Sequence, residues 1–202
     1  PLGAPGRALA VAEKLDTLAG IFAIGQRPSG TRDPFGLRRS ALGALRIIIE
    51  CELDLDLLQH LRSAAARIPG CASAEDVATE VFDYMMERLR AYYTEAETDP
   101  VSADIFEAVL ARRPTRPLDF HQRIQAVMGF TSLAASASLA AANKRVANIL
   151  RKAEFEAGAS VDPARLVEGE ERALYEALGA LRQEVETLIE ARSYGAALER
   201  LA

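Results

Sequence analysis

Tryptophan is missing from this chain of 202 residues, and aromatic residues make up only 6% of it. Cysteine occurs twice, at Cys51 and Cys71. Neither stands in a CxxC pair, so the usual zinc spacing is absent. Two cysteines this far apart are expected as free thiols in a reducing compartment, not as a structural bridge. Histidine also occurs twice, as His60 and His121. No Ser-His-Asp or Cys-His constellation is readable, because neither cysteine has an adjacent base. No run of about 18 apolar residues exists, so no membrane span is expected. The first residues lack a basic-then-apolar leader pattern, so secretion is not expected and a cytoplasmic location is.

What remains is rich in Ala and Leu, and half of all residues are hydrophobic. Alternating β-branched residues are scarce. That composition predicts an all-α, multi-helix bundle. Leu9, Ala12, Leu15, Leu18 and Phe22 recur at three- and four-residue steps and predict a helix over 6–22. Gly25, Pro28, Ser29 and Gly30 should end it. Asp33 offers a cap, with Pro34 at the first position of a helix that runs to Cys51. The run Ile47-Ile48-Ile49 closes that pattern and reads as buried helix. Further helices are expected over 54–67, 75–95 (capped by Ser73, with Val81, Met85, Leu89 and Tyr92 inward), and from Ser102 to Arg112. More should follow over 118–130, 136–153, from Asp162-Pro163, over 168–191 and after Ser193. Breaks near 69–73 and 97–101 divide the chain into segments 1–70, 71–100 and 101–202.

The net charge of −5 argues at first against an anionic partner. Its distribution argues otherwise. Residues 1–46 hold seven Lys/Arg against three Asp/Glu, and residues 111–152 hold eight against Asp119 alone. Two basic islands in an acidic chain are candidate phosphate footprints. In the first, Arg38 and Arg39 open a capped helix and Arg46 returns on the same face. Such a row can follow a polyanion or pair with acids of its own molecule. In the second, Arg112, Arg113 and Arg116 lie on a proline-stiffened connector, which loses less entropy on binding. Asn143, Lys144, Arg145, Asn148, Arg151 and Lys152 then follow on a helix, with Val146, Ile149 and Leu150 expected on its buried side. Amides there could read base edges while the cations hold the backbone.

The stretch from Lys14 to Arg46 carries a resemblance. Lys14-Leu15-Asp16-Thr17-Leu18, Gly20, Phe22, Gly25-Gln26, Pro28, Gly30, Asp33-Pro34-Phe35, Leu37-Arg38-Arg39, Ala41-Leu42-Gly43 and Leu45-Arg46 stand in rigid spacing. That pattern resembles the beta subunit of bacterial glycyl-tRNA synthetase. The run AAANKRVANILRKA (140–153) fits the same family. It is also similar to the anticodon-binding bundle of arginyl-tRNA synthetases, through Arg145-Val146 and Ile149-Leu150.

The resemblance implies the end of an HD-like helical domain, a helical linker, and the first part of an anticodon-binding domain. The piece would lie near the C-terminal third of a larger subunit. It implies a part in ATP-dependent attachment of glycine to tRNA(Gly), within a tetramer of two alpha and two beta subunits. ATP and magnesium would be used through the alpha subunit, with no cofactor here. This chain alone is then expected to be catalytically inert, without membrane or DNA partners. Glu13 matches the position where an HD domain supplies a metal-binding Asp, but the upstream histidine motifs are absent and one carboxylate does not hold a metal. No metal site and no catalytic residue are therefore expected. Two other readings stay open: a subunit-docking helical module, and a fragment of an HD-type phosphohydrolase.

Overall fold

The computed structural model describes residues 3–28, 32–152 and 161–202, so the expected breakers Ser29 and Gly30 lie outside them. The described residues form helices and no strand. Packing divides the chain into two units, Pro1–Ile124 and Gln125–Ala202. The expected breaks near 70 and 100 both fall inside the first unit.

Four helices of the first unit pack together as its main bundle: α1 (Ala4–Ala23), α2 (Leu37–Glu50), α3 (Leu57–Ala65) and α4 (Ala74–Thr94). The helix α1 lies against α2, α3 and α4, and α4 also packs on α2 and α3. The inward stripe of α1 is Val11, Leu15, Leu18, Ala19 and Phe22. Leu9 was expected on that stripe but is 72% exposed. Val11 and Ala19 supply the three- and four-residue steps that match the 3.6 period over the whole contact. In α2 the isoleucine run is helical as expected, with Ile48 and Ile49 buried.

The start of α2 corrects one expectation. Pro34 lies in a turn, not in the helix, and Gly36 is the N-cap with φ +64°. That left-handed conformation suits glycine, which has no Cβ to clash. Asp33 still caps from outside: its carboxylate accepts the Leu37 and Arg38 N–H groups at 2.8 and 3.0 Å. Partial burial works against its ionised form, but those two donors, with Arg38 and Arg39 nearby, hold its carboxyl below the ordinary value. Ser73 caps α4 by accepting from Asp76 N–H, and Asp56 caps α3 by accepting from Gln59 N–H. Each satisfies an amide that has no partner inside its helix.

The inward row of α4 contains Val77, Val81, Phe82, Met85, Met86, Leu89 and Tyr93. Tyr93, not the expected Tyr92, closes it. Against Tyr93 stand α5 (Ala103–Leu110, capped by Ser102) and α6 (Pro117–Thr131). Pro117, expected in the connector, opens α6, where its missing N–H has no helical role. Phe106 and Phe120 are fully buried with ring centroids 5.2 Å apart, and both lie about 6 Å from Tyr93. Burying each of these phenylalanines contributes roughly 1.5–3 kcal/mol. His121 joins the cluster: its Nδ1 and the Tyr93 hydroxyl are hydrogen-bonded at 2.7 Å. Burial pushes His121 below its ordinary value and Tyr93 above its own.

In the second unit are α7 (Ser136–Lys152), α8 (Gly169–Glu190) and α9 (Tyr194–Leu201). Asp162-Pro163 opens only a short 3-10 turn, Pro163–Arg165, with Asp162 accepting from Ala164 N–H. The long helix begins six residues later, behind a reciprocal cap between Glu168 and Glu171. The helix α9 packs on α8, burying Val185 and Ala197. No residue of α7 is buried.

The His121 environment gives a pH test. Its folded form resists protonation, whereas in the unfolded chain it protonates near 6.5. Stability is therefore complete above that pH and declines as pH falls through it toward the lower folded value. In His121→Gln this segment of the stability–pH curve should flatten in urea unfolding. Tyr93→Phe should lower stability by about 1 kcal/mol by removing the hydroxyl's bond.

Candidate nucleic-acid interface

The first basic row is partly neutralised by acids close in sequence. Arg46 Nε donates to Glu50 Oε1 at 2.7 Å, one turn on. Arg38 is partly buried behind Asp33. Arg39 is exposed, beside the same carboxylate. Aligned as the sequence places them, these three do not form an open cationic track.

The connector is anchored on both sides. Arg113 Nη2 donates to Asp83 at 2.6 Å and its guanidinium covers the Phe82 ring at 5.7 Å. Arg116 Nη1 donates to the carboxylate of Asp54 at 2.9 Å and to its backbone carbonyl at 3.3 Å. Between them, Thr115 is held twice. Its hydroxyl donates to Asp56 Oδ2 at 2.7 Å, and its carbonyl accepts from Leu57 N–H at 2.9 Å. Asp56 thus caps α3 with one oxygen and holds the connector with the other. Burial opposes its ionised form, but the Gln59 amide, the Thr115 hydroxyl and Arg116 and Arg62 beyond hold its carboxyl below the ordinary range. Arg112 alone on this segment is exposed with no acid partner among the described residues.

The helix α7 is different. Its sequence, SASLAAANKRVANILRK, has four cations and no carboxylate. Lys144, Arg145, Arg151 and Lys152 are exposed and make no ion pair with a described residue. Arg151 donates to Asn148 Oδ1 at 3.0 Å, which fixes that amide beside it. Lys144, Arg145, Asn148, Ile149 and Lys152 line one shallow groove of about 420 Å³ with Ala141. Asn143 stands exposed in mid-helix, so it is not a cap. Val146, Ile149 and Leu150 were expected on a buried side. They are 53%, 55% and 44% exposed. The helical period turns Val146 and Leu150 away from Lys144 and Lys152 but leaves Ile149 in the groove beside them, and no element of the described residues covers the three.

The remaining chemistry-bearing groups do not converge. His60 is exposed and His121 belongs to the aromatic cluster. Cys51 and Cys71 are free thiols. Glu13 pairs with its neighbour Lys14 at 3.2 Å. Among the described residues no three His, Cys, Asp or Glu side chains gather as ligands, and no single helix is long and apolar enough to cross a membrane. The sequence reading passed over Asp54, Asp56 and Asp83. The acidic run ELDLD (52–56) beside an arginine-rich connector was the available signal.

Fold and site together define an all-α protein whose accessible surface chemistry is the display of charge on helices. The chain belongs to the glycyl-tRNA synthetase beta subunit family, whose sequence pattern matches residues 1–111. Among curated relatives, a glycine–tRNA ligase beta subunit of Pseudomonas aeruginosa strain PAO1 is 49% identical over 197 residues, covering 98% of this chain. That of Aeromonas hydrophila is 49% identical over all 202 residues, and that of Aeromonas salmonicida 50% over 195. The chain spans 28–29% of the length of these relatives.

The double role of Asp56 is testable by unfolding. Asp56→Ala removes a cap and leaves Thr115 without its acceptor, and should destabilise the chain by about 1–3 kcal/mol. Thr115→Val, which leaves the cap intact, should lose less.

Proposed function

We propose that this chain serves glycyl-tRNA synthesis as a tRNA-holding part of a glycine–tRNA ligase beta subunit, and that the cationic face of α7 is the holding surface. The observation that carries this reading is a helix with four exposed cations, no acid of its own, and two amides among them. Lysine and arginine tips neutralise phosphates and release counterions, while amides can reach base edges. Arg112 adds one further exposed cation on the connector. Arg46, Arg113 and Arg116 contribute less, because an incoming phosphate must first displace a carboxylate already in place.

The chemical step belongs elsewhere in this reading. Activation of glycine with ATP and magnesium falls to the alpha subunit, in an assembly of two alpha and two beta subunits in the cytoplasm. The support is the side-chain inventory, in which no serine, threonine or cysteine is hydrogen-bonded to a histidine among the described residues. Domain identities follow the same reading. The segment before residue 70 is an HD-like remnant, and the segment after 101 begins an anticodon-binding bundle. The docking alternative draws on one observation, the exposed Val146, Ile149 and Leu150.

Titration of the chain with tRNA(Gly) at rising salt tests the assignment. Binding should be measurable at low salt and fall steeply as salt increases. Replacing Lys144 and Lys152 by Ala should reduce the log–log salt slope by about one for each cation removed. Arg46→Ala and Arg116→Ala should leave it nearly unchanged. No binding at low salt, or α7 variants that bind like the parent, would remove RNA from the list of occupants.

A further inference from the structure

Two amides stand among the cations of α7, and the helix places them differently. Asn148 lines the shallow groove with Ala141, Lys144, Arg145, Ile149 and Lys152, and is partly shielded there. Asn143 is exposed and lies about 140° around the helix from Asn148, outside that groove.

The groove mixes two chemistries. Lys144 and Lys152 stand roughly 12 Å apart along the axis, with Asn148 midway and Ile149 beside it. Ile149 is 55% exposed, and no element of the described residues covers it. An RNA duplex presents riboses and phosphates, which offer no apolar face to an aliphatic side chain set among cations. An unstacked base does offer one. Its ring lies flat on an apolar or guanidinium surface while the flanking phosphates meet the two lysines. Arg145, one turn before Ile149, adds a guanidinium to the same wall.

Asn148 is also fixed in one orientation. Arg151 Nη2 donates to its Oδ1 at 3.0 Å. A guanidinium has only donors, so the atom facing it is the carbonyl oxygen and the amide nitrogen turns the other way. Asparagine pairs with adenine through both halves, its oxygen accepting from N6 and its nitrogen donating to N7. Here the accepting half is already engaged. What Asn148 offers a base is two N–H donors on one nitrogen. Two adjacent acceptors match them, O2 and N3 of cytosine or O6 and N7 of guanine. On adenine the N6 amino group stands beside both N1 and N7 and opposes a second donor.

We propose that the α7 groove holds one unstacked base of single-stranded RNA over Ile149, and that Asn148, set by Arg151, selects cytosine or guanine against adenine. This rests on the RNA-holding role of α7 proposed above. Lys144 and Lys152 take phosphates of any sequence, and Asn148 supplies the choice. Arg151 is a positioning residue, engaged with the amide and absent from the groove lining.

Fluorescence anisotropy of the purified chain with labelled oligocytidylate and oligoadenylate of equal length tests this, with an RNA duplex as competitor. The parent should bind oligocytidylate at least about fivefold more tightly than oligoadenylate. The duplex should compete poorly. Asn148→Ala should bring oligocytidylate down to the oligoadenylate level and leave the log–log salt slope unchanged, because no cation is lost. Arg151→Met frees the amide to turn and should narrow the preference, and Arg151→Lys should restore it. Circular dichroism should report unchanged helix content in all three. Equal affinity of the parent for the two oligonucleotides overturns the inference. So does a preference that survives Asn148→Ala, or a duplex that competes as well as a single strand. Steeply salt-dependent binding of tRNA(Gly) with no choice between oligonucleotides removes this inference and leaves the holding role standing. Absence of all RNA binding removes both.

Discussion

Where a carboxylate can reach an arginine decides how much of this chain's positive charge is available to anything else. In the first unit, Arg27 meets Glu80, Arg46 meets Glu50, Arg62 meets Glu75, Arg90 meets Glu107, Arg113 meets Asp83 and Arg116 meets Asp54. Each exposed pair adds little stability on its own, since solvent already screens it and two long side chains must be ordered. Their collective consequence is electrostatic. They cancel the field of a segment that looks basic in sequence. On α7 the helix brings no acid and meets none among the described residues, so its field survives. The net charge of the chain is thus a poor guide, and so is the count of cations in a window.

The same carboxylates also fix geometry. Asp33 places the start of α2, and Asp56 joins the start of α3 to a connector nearly 60 positions later. One oxygen of Asp56 satisfies an orphan amide at a helix end, and the other holds Thr115. This economy matters for a segment with two prolines, which cannot supply a full set of amide donors of its own. Pinned at Asp83, Asp56 and Asp54, the connector enters α6 in a set direction and Phe120 reaches the cluster with Phe106 and Tyr93. Polar contacts at the surface therefore determine which aromatic residues meet inside.

Much of the helical framework was legible. Caps at Ser73 and Ser102, and breaks at glycine and proline, act within a few residues, and those local rules located the starts of α4 and α5. The errors have physical causes. Leu9 lies about 120° around the helix from Leu15, off the face that Val11, Leu15, Leu18 and Phe22 share, so three- and four-residue steps counted from Leu9 placed on the stripe a residue that points away from it. Tyr92 and Tyr93 differ by one step of 100°, too fine for a pattern of Val81, Met85 and Leu89 to separate. Pro34 and Asp33 were correctly read as a start signal, but the chain inserts a left-handed glycine before the helix begins. The candidate site was legible only in part. Charge islands are visible in sequence, whereas the neutralisation of the connector depends on residues 30 and 62 positions away. No local rule links Arg113 to Asp83, or Arg116 to Asp54.

The two sides of α7 follow from one sequence feature. Its residues interleave cations and aliphatics, so that Val146 and Leu150 turn away from Lys144 and Lys152 while Ile149 lies beside them. In a helix buried in a core, the aliphatic side would be covered and the cationic side would be the only surface. Here both are open, and both carry information. A polyanion is held through charge, weakly dependent on shape and strongly on salt. An apolar seam is held through complementary shape and depends far less on salt. Because the two modes differ in their dependence on ionic strength, they separate along a single experimental axis.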